Sequence, residues 1–189
     1  MNQLAIDNLW AMAKNEGENV VKVSARVLNN PKFGICAGSS EAGAHHGYDG
    51  GLAEHTEEVA RLCLQNKLLL KADSVNDAIV FMAALFHDVG KIWDYQKAED
   101  GTWIGTDHKR NIHHISRSGI EWMIASEHIF HNGIRDRVLH CILAHHGLRE
   151  WGSPVAPKSQ EAWLLHICDQ LSARMNDWKT NDIVSHKKK

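Results

Sequence analysis

Apolar residues recur at helical spacing along most of this chain. In residues 3–15 they are Ile6, Leu9, Trp10 and Ala13, which share one face of a helix. The same spacing predicts further helices at about 20–28, 52–69, 74–88, 115–130, 134–145 and 159–177. We therefore expect an all-α fold, a single-domain bundle of about six to eight helices.

Two stretches interrupt this helical pattern. Residues 29–51 contain Pro31 and several glycines, which predicts a long loop, and loops of that length are often functional. Residues 93–108 combine acidic residues with glycine and predict either a loop or a short hairpin. Both stretches adjoin the residues on which we base the functional prediction.

The ends of individual segments carry further signals. Ser74 and Asp77 form a capping box that predicts a helix start, and that helix is expected to stop at Gly90. One domain is expected over residues 1–180, with the chemical motifs in 44–175. The basic ending of residues 181–189 predicts a flexible tail.

Composition narrows the functional classes. No apolar run approaches the roughly 18 residues of a membrane-spanning helix. The N-terminal residues lack the features of a secretory signal, so we expect a cytoplasmic protein. A net charge of -2 makes a long nucleic acid a less expected partner than a small molecule. Cys63, Cys141 and Cys168 lie in apolar segments and are expected in the core, and a homo-oligomer is left open.

Histidine is abundant, with 14 in 189 residues, and four polar residues stand where helices predict burial. His55 projects from an apolar helix face, His87 and Asp88 end a strongly apolar run, and Asp169 shares a stripe with Leu165. A lone inward histidine would usually be a core residue, and a lone aspartate a cap or an ion-pair partner. Together, two imidazoles and two carboxylates suit a divalent transition metal.

The order and spacing of these residues resemble the motif of a known protein family. The order His55, then His87-Asp88 in HDVGK, then Asp169 resembles the signature of HD-domain metal-dependent phosphohydrolases. The segments AHHGYDGGLAEHTEEV, ALFHDVGKI, ILAHHGLREWGSPVAPKSQEA and LLHICDQLSA resemble the HD half of YhaM-type 3′-5′ exoribonucleases. Small stand-alone members of the superfamily include phage dATP triphosphohydrolases.

The resemblance implies an enzyme and a set of metal ligands. It assigns one divalent metal to His55, His87, Asp88 and Asp169. Asp88 would bridge to a second metal in a two-metal site, with ligands drawn from His114, His145 and His146. It also implies that Lys91 lies near the metal-binding carboxylate or a substrate phosphate, so Asp88, Lys91 and His114 are the expected catalytic residues. A solvated lysine after a helix end is the alternative for Lys91.

The substrate is expected to be a nucleotide. A bound metal lowers the pKa of a water molecule toward about 7 and neutralises phosphate oxygens, which suits phosphoester hydrolysis. His46, Arg117, Trp151 and Lys158 are the candidate substrate contacts. The preferred activity is a deoxynucleoside triphosphate triphosphohydrolase acting on dATP or a related nucleotide. The alternatives are a 3′-5′ exonuclease and a non-catalytic metal-stabilised module. Mn, Co, Fe, Ni, Zn and Mg are not distinguished by these ligands.

Overall fold

The computed structural model describes residues 1–40 and 44–186, with side chains described as far as residue 177. Its helices are α1 (Gln3–Asn15), α2 (Glu18–Leu28), α3 (Gly51–Leu69), α4 (Asp77–Phe86), α5 (Lys91–Asp94), α6 (Asp107–Asn111), α7 (His114–Ala125), α8 (Asn132–Ala144) and α9 (Gln160–His186). Two short strands, β1 (Tyr95–Lys97) and β2 (Trp103–Gly105), pair antiparallel. The all-α prediction is confirmed.

Helix α4 lies at the centre of the bundle. Its sequence is apolar on every side, and all eight residues from Ile79 to Phe86 are buried. It packs against α1, α2, α3, α7, α8 and α9, so the backbone that follows Phe86 emerges in the middle of the molecule. This position brings His87 and Asp88 within reach of side chains from four other helices, α3, α5, α7 and α9.

Some predicted boundaries need correction. Helix α4 begins at Asp77, with Asn76 as its cap: the Asn76 side chain accepts a hydrogen bond from the backbone N–H of Ile79 at 3.0 Å. The predicted capping box is wrong, because the Ser74 hydroxyl instead bonds the side chain of Gln160 on α9. Helix α7 ends at Ala125, five residues before the predicted end.

The two predicted interruptions are present. The described residues 29–40 and 44–50 contain no helix or strand, and the second interruption contains the β1–β2 hairpin. The backbone amide of Gly38 donates to the carbonyl of His46 at 2.8 Å. A Cβ atom on Gly51 would lie 2.0 Å from that same carbonyl oxygen, so only glycine permits this approach. The loop is therefore pinned to the start of α3.

Cys63, Cys141 and Cys168 are buried, as expected. Within the described part of the chain, no helix is both long and apolar enough for a membrane span. In the tail predicted for 181–189, residues 187–189 lie outside the described residues and the other side chains are not described, so the tail stays a prediction.

Candidate metal centre

Four side chains from three segments meet at the inner end of α4. His55 projects from α3, His87 and Asp88 directly follow α4, and Asp169 projects from α9. His55 Nε2 lies 3.0 Å from Asp169 Oδ1 and 3.3 Å from His87 Nε2. His87 Nε2 lies 3.3 Å from Asp88 Oδ2. The structure thus brings together the four residues that the sequence analysis placed in one site.

A second histidine cluster faces the other oxygen of Asp88. His114 Nε2 lies 3.4 Å and His145 Nε2 lies 3.6 Å from Asp88 Oδ1. His146 belongs to the same cluster, because its ligand atom lies within 4.8 Å of those of His114 and His145. Asp88 therefore stands between two groups of imidazoles, with one carboxylate oxygen directed at each.

Unpaired polar atoms test whether this cluster fits a metal. Asp88 Oδ1, His114 Nε2 and His145 Nε2 are all buried, and among the described residues none of the three has a hydrogen-bond partner. Leaving such atoms unpaired costs about 1–3 kcal/mol each, so native proteins rarely do so without a function. Imidazole nitrogens grouped around carboxylate oxygens are donors that divalent transition metals prefer. The residues fit one metal on each side of Asp88.

Two of the histidines sit at equivalent positions on different helices. His87 caps the C-terminus of α4 and His145 caps the C-terminus of α8. Each donates its Nδ1–H to the carbonyl three residues earlier, His87 to Ala84 and His145 to Ile142, both at 2.7 Å. These carbonyls are among those left without a partner at a helix end. The lone pair of each Nε2 is therefore available to bind a metal ion.

Other polar side chains orient the remaining histidines. His55 donates from Nδ1 to Ser172 Oγ at 3.0 Å, and Ser172 donates to Glu58 Oε2 at 2.8 Å. His114 donates from Nδ1 to Asp94 Oδ2 at 3.2 Å. Such outer hydrogen bonds fix the tautomer and the ring orientation of metal ligands. The Nε2 atoms of both rings accordingly point toward Asp88.

Burial sets the protonation of His55 and His114. Burial lowers the pKa of His55 and of His114 to about 4, although neighbouring aspartates partly oppose this. Burial would also raise the pKa of Asp88, but Lys91 and His87 outweigh it and hold that pKa well below its ordinary value. Neutral imidazoles and an ionised carboxylate are the states that bind metal. His55, His114 and Asp88 are in those states at neutral pH.

Lys91 is buried beside the same carboxylate. Its Nζ lies 2.6 Å from Asp88 Oδ2, and the side chain is 8% exposed. Burial favours the neutral amine, but the charge of Asp88 more than compensates and raises the pKa of Lys91. The solvated-lysine alternative is therefore not the one observed. Its catalytic role stays a prediction.

The predicted substrate contacts take different positions. His46 is fully buried, and its ring lies 5.0 Å from that of His55. Arg117 has its guanidinium 5.1 Å from the centre of the Trp93 ring. Trp151 is exposed at the edge of the second cluster, where its carbonyl accepts from His146 Nδ1 at 2.7 Å.

Lys158 lies elsewhere. Its backbone amide donates to His140 Nε2 at 2.9 Å, and its side chain is exposed. None of its described hydrogen bonds or ion pairs joins it to either histidine cluster. All four substrate-contact assignments stay predictions.

Sequence reasoning missed several residues that support the centre. Asp94 is fully buried and accepts from His114 and, at 2.6 Å, from His108 Nδ1. Ser172 lies one turn after Asp169 on the same inner stripe of α9, a spacing that could have signalled its role. For Asp94, the only sign of burial in the sequence is its position between two aromatic residues, Trp93 and Tyr95.

An all-α bundle with one aspartate between two histidine clusters defines a class of helical metal-binding proteins. The particular family follows from the sequence match: the model of the HD domain family matches residues 52–174, which is more than half of the chain. The chain belongs to the HD domain family.

The chain is similar to curated proteins of two kinds. It is 31% identical over 136 residues to a dihydroneopterin 2′,3′-cyclic phosphate phosphodiesterase of Methanocaldococcus jannaschii, covering 70% of this chain and 50% of the relative. It is 35% identical over 133 residues to the 3′-5′ exoribonuclease YhaM of a Geobacillus species, covering 70% and 40%.

The Bacillus subtilis YhaM is 32% identical over 133 residues, with 70% of this chain and 41% of the relative covered. The matched part thus spans about half or less of these relatives' length. No solved structure matches the chain significantly.

Proposed function

We propose that this protein hydrolyses a phosphoester or phosphoanhydride bond of a nucleotide at a two-metal centre. One observation carries the proposal: the buried Asp88 directs one oxygen at each of two histidine clusters, and the atoms facing Oδ1 have no other partner among the described residues. When bound, a pair of divalent metals would supply activation of a water molecule and stabilisation of negative charge on the phosphate. His55, His87, Asp88 and Asp169 would hold one metal, and Asp88, His114, His145 and His146 the other.

The protein side chains keep this centre ready for catalysis. Ser172, Asp94 and two helix-end carbonyls hold the imidazoles with Nε2 facing inward, so little reorganisation is needed when a phosphate arrives. Lys91 keeps Asp88 ionised and brings a fixed positive charge to the centre. That charge favours an anionic substrate and stabilises the additional negative charge that develops on its phosphate oxygens.

A deoxynucleoside triphosphate is the first proposed substrate. His146 is only half-buried, so a ligand can approach the second cluster. Trp151 offers an aromatic face there, and base stacking on such a face is worth about 1–3 kcal/mol. The low net charge supports a small substrate over a long polyanion.

Single-strand 3′-5′ exonuclease activity is the second candidate. It is supported by the printed names of the relatives, since the YhaM proteins are named as exoribonucleases and the Methanocaldococcus protein as a cyclic phosphate phosphodiesterase. Both names describe hydrolysis of a phosphodiester. The same pair of metals can promote hydrolysis of a phosphodiester or of a phosphoanhydride. Which of the two substrates is used therefore depends on which one fits beside the second histidine cluster.

A substrate panel separates these candidates. The protein is loaded with Mn²⁺ or Co²⁺ and incubated with dNTPs, NTPs, 2′,3′-cyclic nucleotides and end-labelled oligonucleotides. Triphosphate release from a dNTP supports the first candidate, and stepwise shortening of oligonucleotides supports the second. Absence of turnover across the panel, with both metals bound, would contradict the enzymatic proposal and favour a metal-stabilised module.

A further inference from the structure

A separate cluster of possible ligands lies on the outer side of His55. It consists of His46 from the loop before α3 and of Glu54 and Glu58, which stand one turn apart on α3. The ligand atoms of the three side chains lie within 4.8 Å of one another. Donor atoms that share one divalent ion at about 2.0–2.2 Å are themselves about 3–4 Å apart, so the cluster needs only a small contraction.

His46 supplies the second observation that points to a ligand. Its side chain is 0% exposed, and its Nε2 lies 3.2 Å from Glu58 Oε2. The geometry of that contact is not that of a hydrogen bond, and Nε2 has no hydrogen-bond partner among the described residues. A buried ring nitrogen left in this state destabilises the fold unless something binds it.

The backbone holds His46 in this orientation. Its φ angle is 52°, in the left-handed region that side chains other than glycine seldom adopt. Its amide donates to Asn176 Oδ1 at 2.7 Å, and its carbonyl accepts from Gly38 at 2.8 Å. Such strain persists where the surroundings impose it, and here they turn the imidazole toward Glu54 and Glu58.

We propose that His46, Glu54 and Glu58 bind a third divalent cation, apart from the two-metal centre. One imidazole nitrogen and two carboxylates form a donor set that suits Mn²⁺, Fe²⁺ or Zn²⁺. Each carboxylate offers about four lone-pair positions, so Glu54 can accept from Asn2 and Glu58 from Ser172 while each ligates the ion.

The third cation would adjoin the centre without sharing a ligand with it. His55 turns Nε2 toward Asp169 and Nδ1 toward Ser172, and Ser172 in turn donates to Glu58. His45 and His46 also form a group with His55, but His55 Nδ1 is already bonded to Ser172. The carboxylate set is therefore the better assignment for the ion.

Metal counting tests the proposal without relying on activity. The full chain is loaded with Mn²⁺, freed of excess metal by desalting and analysed by mass spectrometry for bound manganese. We expect three ions per wild-type chain and two in Glu54→Gln. Glu57→Gln is the matched control: Glu57 lies on the same helix but faces Arg61, at 3.3 Å, and should retain three ions.

Two further variants make every outcome informative. Asp88→Asn should lose ions of the two-metal centre and retain the third, so failure of the proposed enzymatic function would not be confused with failure of this site. His46→Asn, which tolerates the left-handed backbone, should bind one ion fewer than the wild type. Metal content equal to that of the wild type in both Glu54→Gln and His46→Asn would overturn the proposal, whatever the wild-type count.

Discussion

Asp88 is the residue on which the centre depends. It is buried, it contacts Lys91 at 2.6 Å, and its two oxygens face different histidine clusters. Replacing it with asparagine keeps the shape but removes the charge that would bind the two proposed metals. We expect Asp88→Asn to lose more than about 100-fold in kcat and to bind less metal, because charge stabilisation is usually the largest contribution to such catalysis. Steady-state kinetics and metal analysis measure the two effects.

Asp49→Asn serves as the control for Asp88→Asn. Asp49 is an exposed carboxylate that pairs with Lys97 at 2.6 Å, so its loss should leave metal content and kcat unchanged. An Asp88→Asn protein with wild-type turnover would show that the centre is assigned to the wrong residues.

Ser172 should control metal affinity through His55. It accepts from His55 Nδ1, and removing such an outer hydrogen bond typically weakens metal binding by about 10–100-fold. We expect Ser172→Ala to weaken the His55-side metal by that factor, measured by competition with a chelator. Ser24→Ala is the control, because Ser24 Oγ is also buried but has no hydrogen-bond partner among the described residues. Equal affinities in the two variants would contradict the role of Ser172.

Among single residues, the sequence could identify polar residues that interrupt the apolar face of a predicted helix. His55 and Asp169 interrupt apolar stripes, and the structure buries both as that pattern indicated. Asp94 and Glu58 could not be found in the same way, because their roles depend on contacts with His114 and Ser172 that are distant in sequence. Periodicity shows which way a side chain faces but not which side chain it meets.

Helix ends, rather than helix interiors, carry much of the centre. His87 and His145 follow α4 and α8, and His114 is the first residue of α7. Gly90 lets the turn after α4 contact the start of α7, since a Cβ there would lie 2.3 Å from the His114 carbonyl oxygen.

We expect Gly90→Ala to displace His114 and lower occupancy of the second metal, with at least about a tenfold loss of kcat at fixed metal. Metal titration followed by single-turnover kinetics checks this. The control is Gly119→Ala on α7, whose Cβ would meet only side chains, those of Leu139 at 3.1 Å and Leu143 at 3.7 Å. Full second-site occupancy in Gly90→Ala would show that the close backbone contact does not position His114.

The positions where helices begin and end were harder to predict than the existence of the helices. The apolar repeat located α4 correctly, but its start depends on which of several polar residues caps the helix. Asn76 does so, while Ser74 is drawn to Gln160 of α9. A tertiary contact thus overrode a local signal, and no local rule could have anticipated it.

For the whole molecule, buried histidines predict acid sensitivity of the metal-free protein. The pKa values of His55 and His114 fall from an ordinary 6.5 to about 4 in the folded chain, mainly through burial. Between these values the unfolded chain binds more protons, so the free energy of unfolding decreases as pH falls from 6.5 toward 4. Each histidine contributes on the order of 3 kcal/mol to this loss.

Urea unfolding of the chelator-treated protein at several pH values measures this loss. His87 opposes it, because Asp88 outweighs the effect of burial and raises the pKa of His87. His146 adds to the loss, because burial lowers its pKa to about 3. Asp88 and Asp169, whose pKa values are lowered, add to the loss below pH 4. An unfolding free energy that is constant from pH 7 to 4 would be inconsistent with neutral buried histidines.

The helical fold and the grouping of His55, His87, Asp88 and Asp169 could both be predicted, the fold because apolar periodicity covers more than half of the chain. Which substrate the proposed centre accepts could not be predicted, since that depends on the rim formed by the half-buried His146 and the exposed Trp151 rather than on the buried ligands. Side chains at such a rim obey no period and carry little packing constraint.

The hydrogen bonds from His87 and His145 to carbonyls of their own helices have a consequence for protein design. In each case a backbone carbonyl at the helix end fixes the histidine tautomer with the proton on Nδ1, so no additional side chain is required for this. A histidine placed directly after the last residue of any sufficiently buried helix should therefore present Nε2 in ligating form. Two such helices with converging ends would supply half of a tetrahedral site from backbone geometry alone.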